Sequence, residues 1–323
     1  MSCYFPVLRV FYRHFITGKL YSVSVEYHGE PLDDLRHDYE GTYRVDHGCR
    51  DYYEKLVLCP CGHCIGCRTD KRREWTSRLI LEDKDQRKIG NEGYFITLTY
   101  DPQYLPSDGG LRKKDFQDFM KRFRITLKRK HNLDKIRFFG CGEYGENFLR
   151  PHYHFVTWLP LDIFDVQKIV ESTWTLGFVE IVYSAYERLA YVAGYVSKKL
   201  LDSSQVEGVD QNTGEVKTLP PEFILMSRRP GIGSGYSLAK IKETGKIYLN
   251  DGKKVSPPRY YKNKLTHQEK EDLRIRGSPV DVRYTEFVRS GKDWSEFLSD
   301  QFDSAIRQLQ ITKFNNSKGK RRI

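Results

Sequence analysis

The sequence predicts an α+β protein built around an antiparallel sheet, and three observations lead there. Between Tyr94 and Leu201 the apolar residues switch repeatedly between a two-residue and a 3.6-residue period. Turn-forming residues, such as Asp101-Pro102 and the stretch Gly142 to Arg150, separate the periodic segments. The order that results is strand, helix, strand, strand, helix, strand, helix, and its first six elements are those of a split βαβ, ferredoxin-like core.

Each element has its own signature. Residues 1–58 mix short apolar runs with polar breaks and yield no assignment. Residues 59–67 hold a cysteine-rich segment. Residues 68–88 read as a helix rich in arginine and lysine, with Trp75, Leu79, Ile80 and Leu81 as its apolar material. Tyr94-Phe-Ile-Thr-Leu-Thr-Tyr100 alternates in the manner of a strand and stops at Asp101-Pro102. From Leu111 to Lys130, Phe116, Phe119, Met120, Phe123 and Leu127 fall at helical spacing. Lys135 to Cys141 reads as a second strand. A third, Arg150-Pro-His-Tyr-His-Phe155, continues through Trp158. Asp162 to Trp174 reads as a helix with Ile163, Val166, Ile169 and Val170 on one stripe. Gly177 to Tyr183 reads as the fourth strand, and Ala185 to Leu201 as the third helix.

Beyond Leu201 the pattern weakens. Residues 203–220 are polar and loop-like. Phe223 to Gly233 joins an apolar run to Arg228, Arg229 and a glycine-rich turn, which is either an ordinary turn or a phosphate cradle made of backbone N–H groups. Residues 267–309 look helical in part, and Lys318 to Ile323 form a basic tail expected to be disordered. Three parts result: an N-terminal segment with the cysteines and the basic helix (1–90), the core (91–202) and a C-terminal extension (203–323).

Composition narrows the function. Lysine and arginine (54) outnumber aspartate and glutamate (43), and the formal charge of +11 favours a polyanionic partner. With 22 tyrosines and 18 phenylalanines the chain has rings enough to hold single strands by base stacking as well as to fill a core. No apolar run approaches about 20 residues, so a membrane span is not expected. Arg9, Arg13, His14 and Lys19 interrupt the first apolar stretch, so it does not read as a signal peptide. Four of the seven cysteines crowd into nine residues, which without an export signal fits a metal better than disulfides.

Three groups of residues could carry chemistry. His152 and His154 are two apart on a strand and share a face, where paired imidazoles can hold a divalent cation. Glu143, or in reserve Glu146, completes a His-His-carboxylate set with open positions, suited to Mn²⁺ or Mg²⁺. The opposing reading is a strand that merely tolerates histidine. Tyr191 and Tyr195 lie about 40° apart around a helix axis. Lys198 and Lys199 fall on either side of the pair, and Gly194 leaves room for a phosphate backbone. Here the opposing reading is a helix that buries both rings beside Leu189 and Val192. Finally, Cys59, Cys61, Cys64 and Cys67 suit zinc, bound by four thiolates or by three with His63, and Cys49 is a candidate extra ligand. The same cysteines fit the start of an iron–sulfur run, but the fourth Cys followed by Pro is missing.

Taken in order, Phe95-Ile-Thr-Leu-Thr-Tyr100, Pro151-His-Tyr-His154 and Tyr191-Val-Ala-Gly-Tyr195-Val-Ser-Lys-Lys199 resemble the three motifs of the HUH endonucleases. They are most similar to the replication initiators of microviruses, small single-stranded DNA phages, and especially the gokushovirus branch. Pro60 to Arg68 and Met226 to Gly233 resemble that branch as well. The resemblance implies an HUH fold and a metal-dependent rolling-circle initiator that nicks origin DNA and rejoins the displaced strand into a circle. It implies Tyr191 and Tyr195 as nucleophiles, His152, His154 and Glu143 as ligands of Mn or Mg, and Lys199 (or Lys198) as the helper cation. The implied partners are single-stranded and origin DNA and the host replication helicase and polymerase, in the cytoplasm of a bacterial host. Two rivals share these residues: a transposase or relaxase with the same site, and a zinc-containing nucleic-acid-binding protein without activity.

Overall fold

Residues 3–25, 35, 39–40, 43–46, 49–62, 64–145, 149–199, 206–209, 216–249, 252–276, 287, 289–293, 296–297, 299–304 and 306–307 are described in the computed structural model. The chain packs as two units, residues 1–69 with 278–323, and residues 70–277.

In the first unit, four strands form one antiparallel sheet: β1 (Val7–Arg13), β2 (Leu20–Val25), β3 (Tyr43–Asp46) and β4 (Cys49–Cys59), in the order β2-β1-β4-β3. Leu8, Val10 and Leu56 are its buried centre. A register shift between Phe11 and Tyr12 on β1 lets the long β4 follow it along its whole length.

The second unit takes in most of α1 (Ile65–Lys88), then β5 (Glu92–Tyr100), α2 (Lys113–His131), β6 (Arg137–Tyr144), β7 (Pro151–Leu159), α3 (Ile163–Thr173), β8 (Gly177–Tyr183) and α4 (Tyr186–Lys199). Local chemistry sets several boundaries. The Asp101 carboxylate accepts the Gln103 N–H and opens a 3₁₀ turn at Pro102–Tyr104. Asp162 caps α3 by accepting the Asp165 N–H at 2.9 Å. Asn132 ends α2 in the left-handed region, at φ 55°.

A hairpin follows, β9 (Val206–Val209) with β10 (Val216–Leu219), and then β11 (Phe223–Met226). The unit ends with α5 (Leu238–Thr244), the short pair β12 (Ile247–Tyr248) and β13 (Lys254–Val255), α6 (Arg259–Lys262) and α7 (His267–Arg276). Residues 318–323 lie outside the described residues. Among the described residues no helix is long and apolar enough to cross a membrane.

The main sheet has the order β11-β6-β7-β5-β8, and every neighbouring pair is antiparallel. Its inner order β8-β5-β7-β6 is the interleaving expected of two crossovers, β5-α2-β6 and β7-α3-β8. The architecture is therefore α+β with antiparallel sheets, as the periodicity predicts. The sequence-based boundaries at 90/91 and 202/203 both fall inside this unit. The first separates α1 from the sheet that it covers, and the second separates β11 from the sheet that it extends.

Alternation gives the sheet two faces. Tyr94, Ile96 and Leu98 of β5, Phe138 of β6, and Tyr153 and Phe155 of β7 pack with Phe116, Phe119, Phe123, Val166 and Ile169 of α2 and α3. Phe95, Phe139, Val156 and Trp158 face the other way and pack with Leu79 and Ile80 of α1 and Leu189, Val192 and Ala193 of α4.

The glycine-rich segment after β11 is a packed turn, not a phosphate cradle. Gly233 donates its N–H to Glu82 at 2.7 Å, and Arg78 donates to the Ile232 carbonyl at 3.0 Å. Arg137 donates to the Pro230 and Gly231 carbonyls. Gly233 has φ +74°, and a Cβ there would fall 2.7 Å from the Tyr261 hydroxyl and 2.8 Å from the Arg78 carbonyl.

Candidate active site

The second face of the sheet carries the polar residues of interest because β7 alternates without a break. Tyr153 and Phe155 go to the α2–α3 core, so His152 and His154 go to the opposite face with Val156 and Trp158. Pairing then sets the neighbours. His152 lies across from Glu143 of β6 on one side and Thr99 of β5 on the other; His154 lies between Cys141 and Thr97.

Side-chain contacts follow this register. The Thr97 hydroxyl is 3.0 Å from His154 Nδ1, and the Thr99 hydroxyl is 2.9 Å from His152 Nδ1. Each hydroxyl occupies one ring nitrogen and turns the other, Nε2, into the site. His154 Nε2 lies 2.6 Å from Glu143 Oε1. Glu143 and His154 are both buried, at 6% and 9% exposure, so this pair is shielded from water. Desolvation, reinforced by the nearby His154, lowers the pKa of His152 below the usual 6.5. Its imidazole is therefore held neutral, the form that can act as a ligand.

The helix α4 brings in the tyrosine. Leu189, Val192 and Ala193 form its buried stripe, which leaves Tyr191 at the edge of the packed face, 45% exposed. The Tyr191 ring stands edge-on to His154, with centroids 5.7 Å apart, and to Phe95 at 6.2 Å. Its hydroxyl donates to Glu143 Oε1 at 3.0 Å. One carboxylate oxygen thus meets both the imidazole and the phenol. The alternative of a helix that buries Tyr191 does not hold, since the ring is half open and its hydroxyl faces polar groups. Tyr195, Lys198 and Lys199 are part of the same helix, but their side chains lie outside the described residues, as does Glu146.

Glu143, His152 and His154 are a donor set of the right chemistry for Mn²⁺ or Mg²⁺, hard enough through its carboxylate and open on the solvent side. Gly145 keeps the space clear: a Cβ there would sit 3.3 Å from His152 Nε2. The three donors are held apart by their present hydrogen bonds, and a cation would gather them. Among the described residues only a set of cysteines has its donor atoms all within 4.8 Å of one another.

That set is Cys3, Cys61, Cys64 and Cys67, in the first unit. It differs from the expected Cys59, Cys61, Cys64 and Cys67, because Cys3 takes the place of Cys59. The reason is register. Cys59 pairs with Val7 at the end of the β1–β4 ladder, so the residues just before Val7 meet those just after Cys59. Cys49 opens the same strand, about 33 Å away at about 3.3 Å per residue, too far to contribute. His63 lies outside the described residues.

The sulfurs are spaced for a single ion. Cys61 and Cys67 Sγ are 3.9 Å apart, and Cys64 and Cys3 Sγ 3.8 Å. Four thiolates at about 2.3 Å around a tetrahedral ion would lie about 3.8 Å from one another. A disulfide would need about 2.05 Å, and all four thiols are free. Backbone N–H groups of Tyr4, Cys61 and Cys64 point at the Cys64, Cys3 and Cys61 sulfurs. Burial pushes the Cys64 thiol up, but the Tyr4 and Cys67 backbone donors outweigh it and bring the pKa down to about 7. Burial raises Cys3 to about 11 and moves Cys67 up as well.

Two features escape a reading of the sequence alone. Thr97 and Thr99 are visible as a pair on one strand face, but their role appears only once β5 is known to lie beside β7. Cys3 is separated from the other cysteines by an entire sheet and carries no spacing signal.

Comparison with known proteins agrees with the motifs. The family model for replication-associated protein ORF2 matches residues 93–200. The replication-associated protein ORF2 of Spiroplasma virus 4 is 27% identical over 277 residues, which cover 75% of this chain and 80% of the relative. The replication-associated protein VP4 of Bdellovibrio phage phiMH2K is 29% identical over 238 residues, covering 65% and 69%. The replication-associated protein ORF4 of Chlamydia phage 1 is 25% identical over 269 residues, covering 78% and 63%. No solved structure matches the chain significantly. These matches bear out the resemblance to the replication initiators of microvirus-like phages: the chain is a relative of phage replication-associated proteins.

Proposed function

We propose that this chain is an HUH-type DNA nicking and joining enzyme that starts rolling-circle replication. The observation that carries the reading is the shared oxygen of Glu143, 3.0 Å from the Tyr191 hydroxyl and 2.6 Å from His154 Nε2. A phenol beside two neutral imidazoles and a carboxylate is an unusual set for a merely structural role. It is the set that phosphodiester transfer to tyrosine calls for, and the phage relatives supply the biological setting.

In the proposed reaction the Tyr191 oxygen attacks the scissile phosphorus. The O–P bond to tyrosine forms, and the bond from phosphorus to the 3′ oxygen breaks. The phenol proton passes to an acceptor, for which Glu143 is already placed, and the leaving 3′ oxygen takes up a proton to become the 3′-OH that primes synthesis. The new 5′ phosphate stays on tyrosine, so the bond energy is kept and joining needs no ATP. Tyr195, one helical turn on, would attack the regenerated origin, and the displaced strand would then be closed into a circle. Glu143, His152 and His154 would hold Mn²⁺ or Mg²⁺, which supplies positive charge to a phosphate oxygen. Thr97 and Thr99 orient the two imidazoles. Lys199, or Lys198, would be the second source of positive charge.

The cysteine set would hold a structural zinc, with Cys3 as its fourth ligand. Partners are single-stranded and origin DNA, together with a host helicase and polymerase.

The test uses Mn²⁺ and single-stranded oligonucleotides that tile the replicon carrying the gene. A denaturation-resistant protein–DNA adduct is expected with the wild type, and none with Tyr191→Phe/Tyr195→Phe. His154→Ala should lose the adduct and keep DNA affinity, which separates an enzyme from a DNA-binding protein without activity. An adduct that survives in the double tyrosine variant would refute the nucleophile assignment.

A further inference from the structure

The part of the site face nearest the sheet edge carries an aromatic ring that neither core uses. Phe178 pairs with Thr99 across β5 and β8, so both side chains project from the same face. Thr99 is the residue whose hydroxyl holds His152. Phe178 is therefore two strand spacings, about 10 Å, from that imidazole, on the edge strand. It is 59% exposed, and among the described residues its ring stacks on no other aromatic ring. Val182, two pairs further along the same face of β8, packs with the α1–α4 cluster. The cover provided by α4 thus stops short of Phe178.

An isolated exposed phenylalanine is ordinary on a protein surface. This one differs by its place: it extends the polar surface that holds His152 and Tyr191. Its neighbour on that face is Glu180, exposed and opposite Thr97. A carboxylate there repels phosphate, whereas an uncharged ring accepts the flat face of a base.

We infer that Phe178 is a stacking platform for one unpaired base of the DNA strand beside the scissile phosphate. The inference rests on the proposed reading of the site as a DNA-nicking centre. A strand whose phosphate lies at His152 and Tyr191 would turn its base toward β8, away from the charge of Glu180. The contact is with a base face and not with a hydrogen-bonding edge, so it selects for single-stranded over duplex DNA and little among sequences.

The experiment measures binding without chemistry, on the full chain with Tyr191→Phe as background. Two probes are used: an oligothymidylate of about 15 nucleotides, and an abasic oligomer of the same length with the same phosphates. Phe178→Ala should weaken oligothymidylate binding about 5- to 150-fold, the loss of one base stack, and leave the abasic oligomer unchanged. Phe178→Trp should retain the affinity, and its fluorescence should be quenched by oligothymidylate alone. Equal loss with both probes, no loss with either, or a change only in self-association would overturn the inference. If the parent protein binds neither probe, the DNA-nicking reading fails first and takes this one with it. If it binds both and Phe178→Ala does the same, only the stacking role fails.

Discussion

Replacing Thr97 by valine tests the metal site without touching a ligand. Valine has nearly the shape of threonine, so the change removes one hydroxyl and leaves packing intact. That hydroxyl is 3.0 Å from His154 Nδ1, while Nε2 of the same ring lies 2.6 Å from Glu143. Without a cation, Nε2 can donate its proton to Glu143, and Nδ1 then accepts from Thr97. To bind a cation the ring must present Nε2 as a lone pair, so the proton moves to Nδ1 and the hydroxyl must become its acceptor. A hydroxyl serves either tautomer and a methyl group serves neither. A hydrogen bond to a charge-polarised group is worth about 1.5 to 3 kcal/mol, or about 10- to 150-fold. Lost partners of metal-bound histidines elsewhere cost about 10- to 100-fold in affinity. Calorimetric titration with Mn²⁺ reads this directly, because the thiolates of the cysteine set are poor ligands for that ion. Thr97→Val and Thr99→Val should each weaken Mn²⁺ binding within that range, and Thr97→Ser should restore most of it. Unchanged affinity in both valine variants would refute the metal assignment for His152 and His154.

Three further predictions follow from the same contacts. Cys3→Ser should release about one zinc per chain and lower the melting temperature, while Cys59→Ser should do neither; metal analysis with thermal melting checks both. Arg137→Met should cost about 3 to 5 kcal/mol by chemical denaturation, because it strands Glu82, whose carboxylate is 5% exposed and receives Arg137 at 2.7 Å. In the metal-free protein, His152 has its folded pKa below the 6.5 of the free imidazole. The unfolded chain therefore binds more protons between those two values, and stability rises with pH there. This contribution is complete above 6.5 and is lost as pH falls through the folded value. Melting temperatures in chelator should drop as pH is lowered, and less steeply in His152→Gln.

Local periodicity made the centre of the molecule legible. Phe116, Phe119, Phe123 and Leu127 announce α2, and the unbroken alternation of β5 and β7 announces both faces of the sheet, including which one carries the histidines. Bounds moved only slightly: the strand expected over Lys135–Cys141 runs Arg137–Tyr144, which places Glu143 inside the ladder opposite His152. What the sequence hid depends on long-range pairing. The short strands β2 and β3, with Ser22, Ser24, Arg44 and Asp46 among their residues, give no clear period. β11 is four residues long and joins the sheet from about 80 residues away, at the edge of β6. The same holds for the sites: Thr97 and Thr99 acquire a partner only through the β5–β7 register, and Cys3 reaches the other cysteines only through β1–β4.

The central claim is that a phenol on α4 becomes covalently joined to DNA. The most direct measurement is mass spectrometry of the tryptic peptide Leu189–Lys198, which contains both tyrosines, after reaction with Mn²⁺ and origin single strands. The account predicts that this peptide gains the mass of a nucleotide 5′-phosphate on Tyr191 or Tyr195. A protein–DNA adduct mapped to any other residue, or cleavage of the strand with this peptide left unmodified, would contradict it.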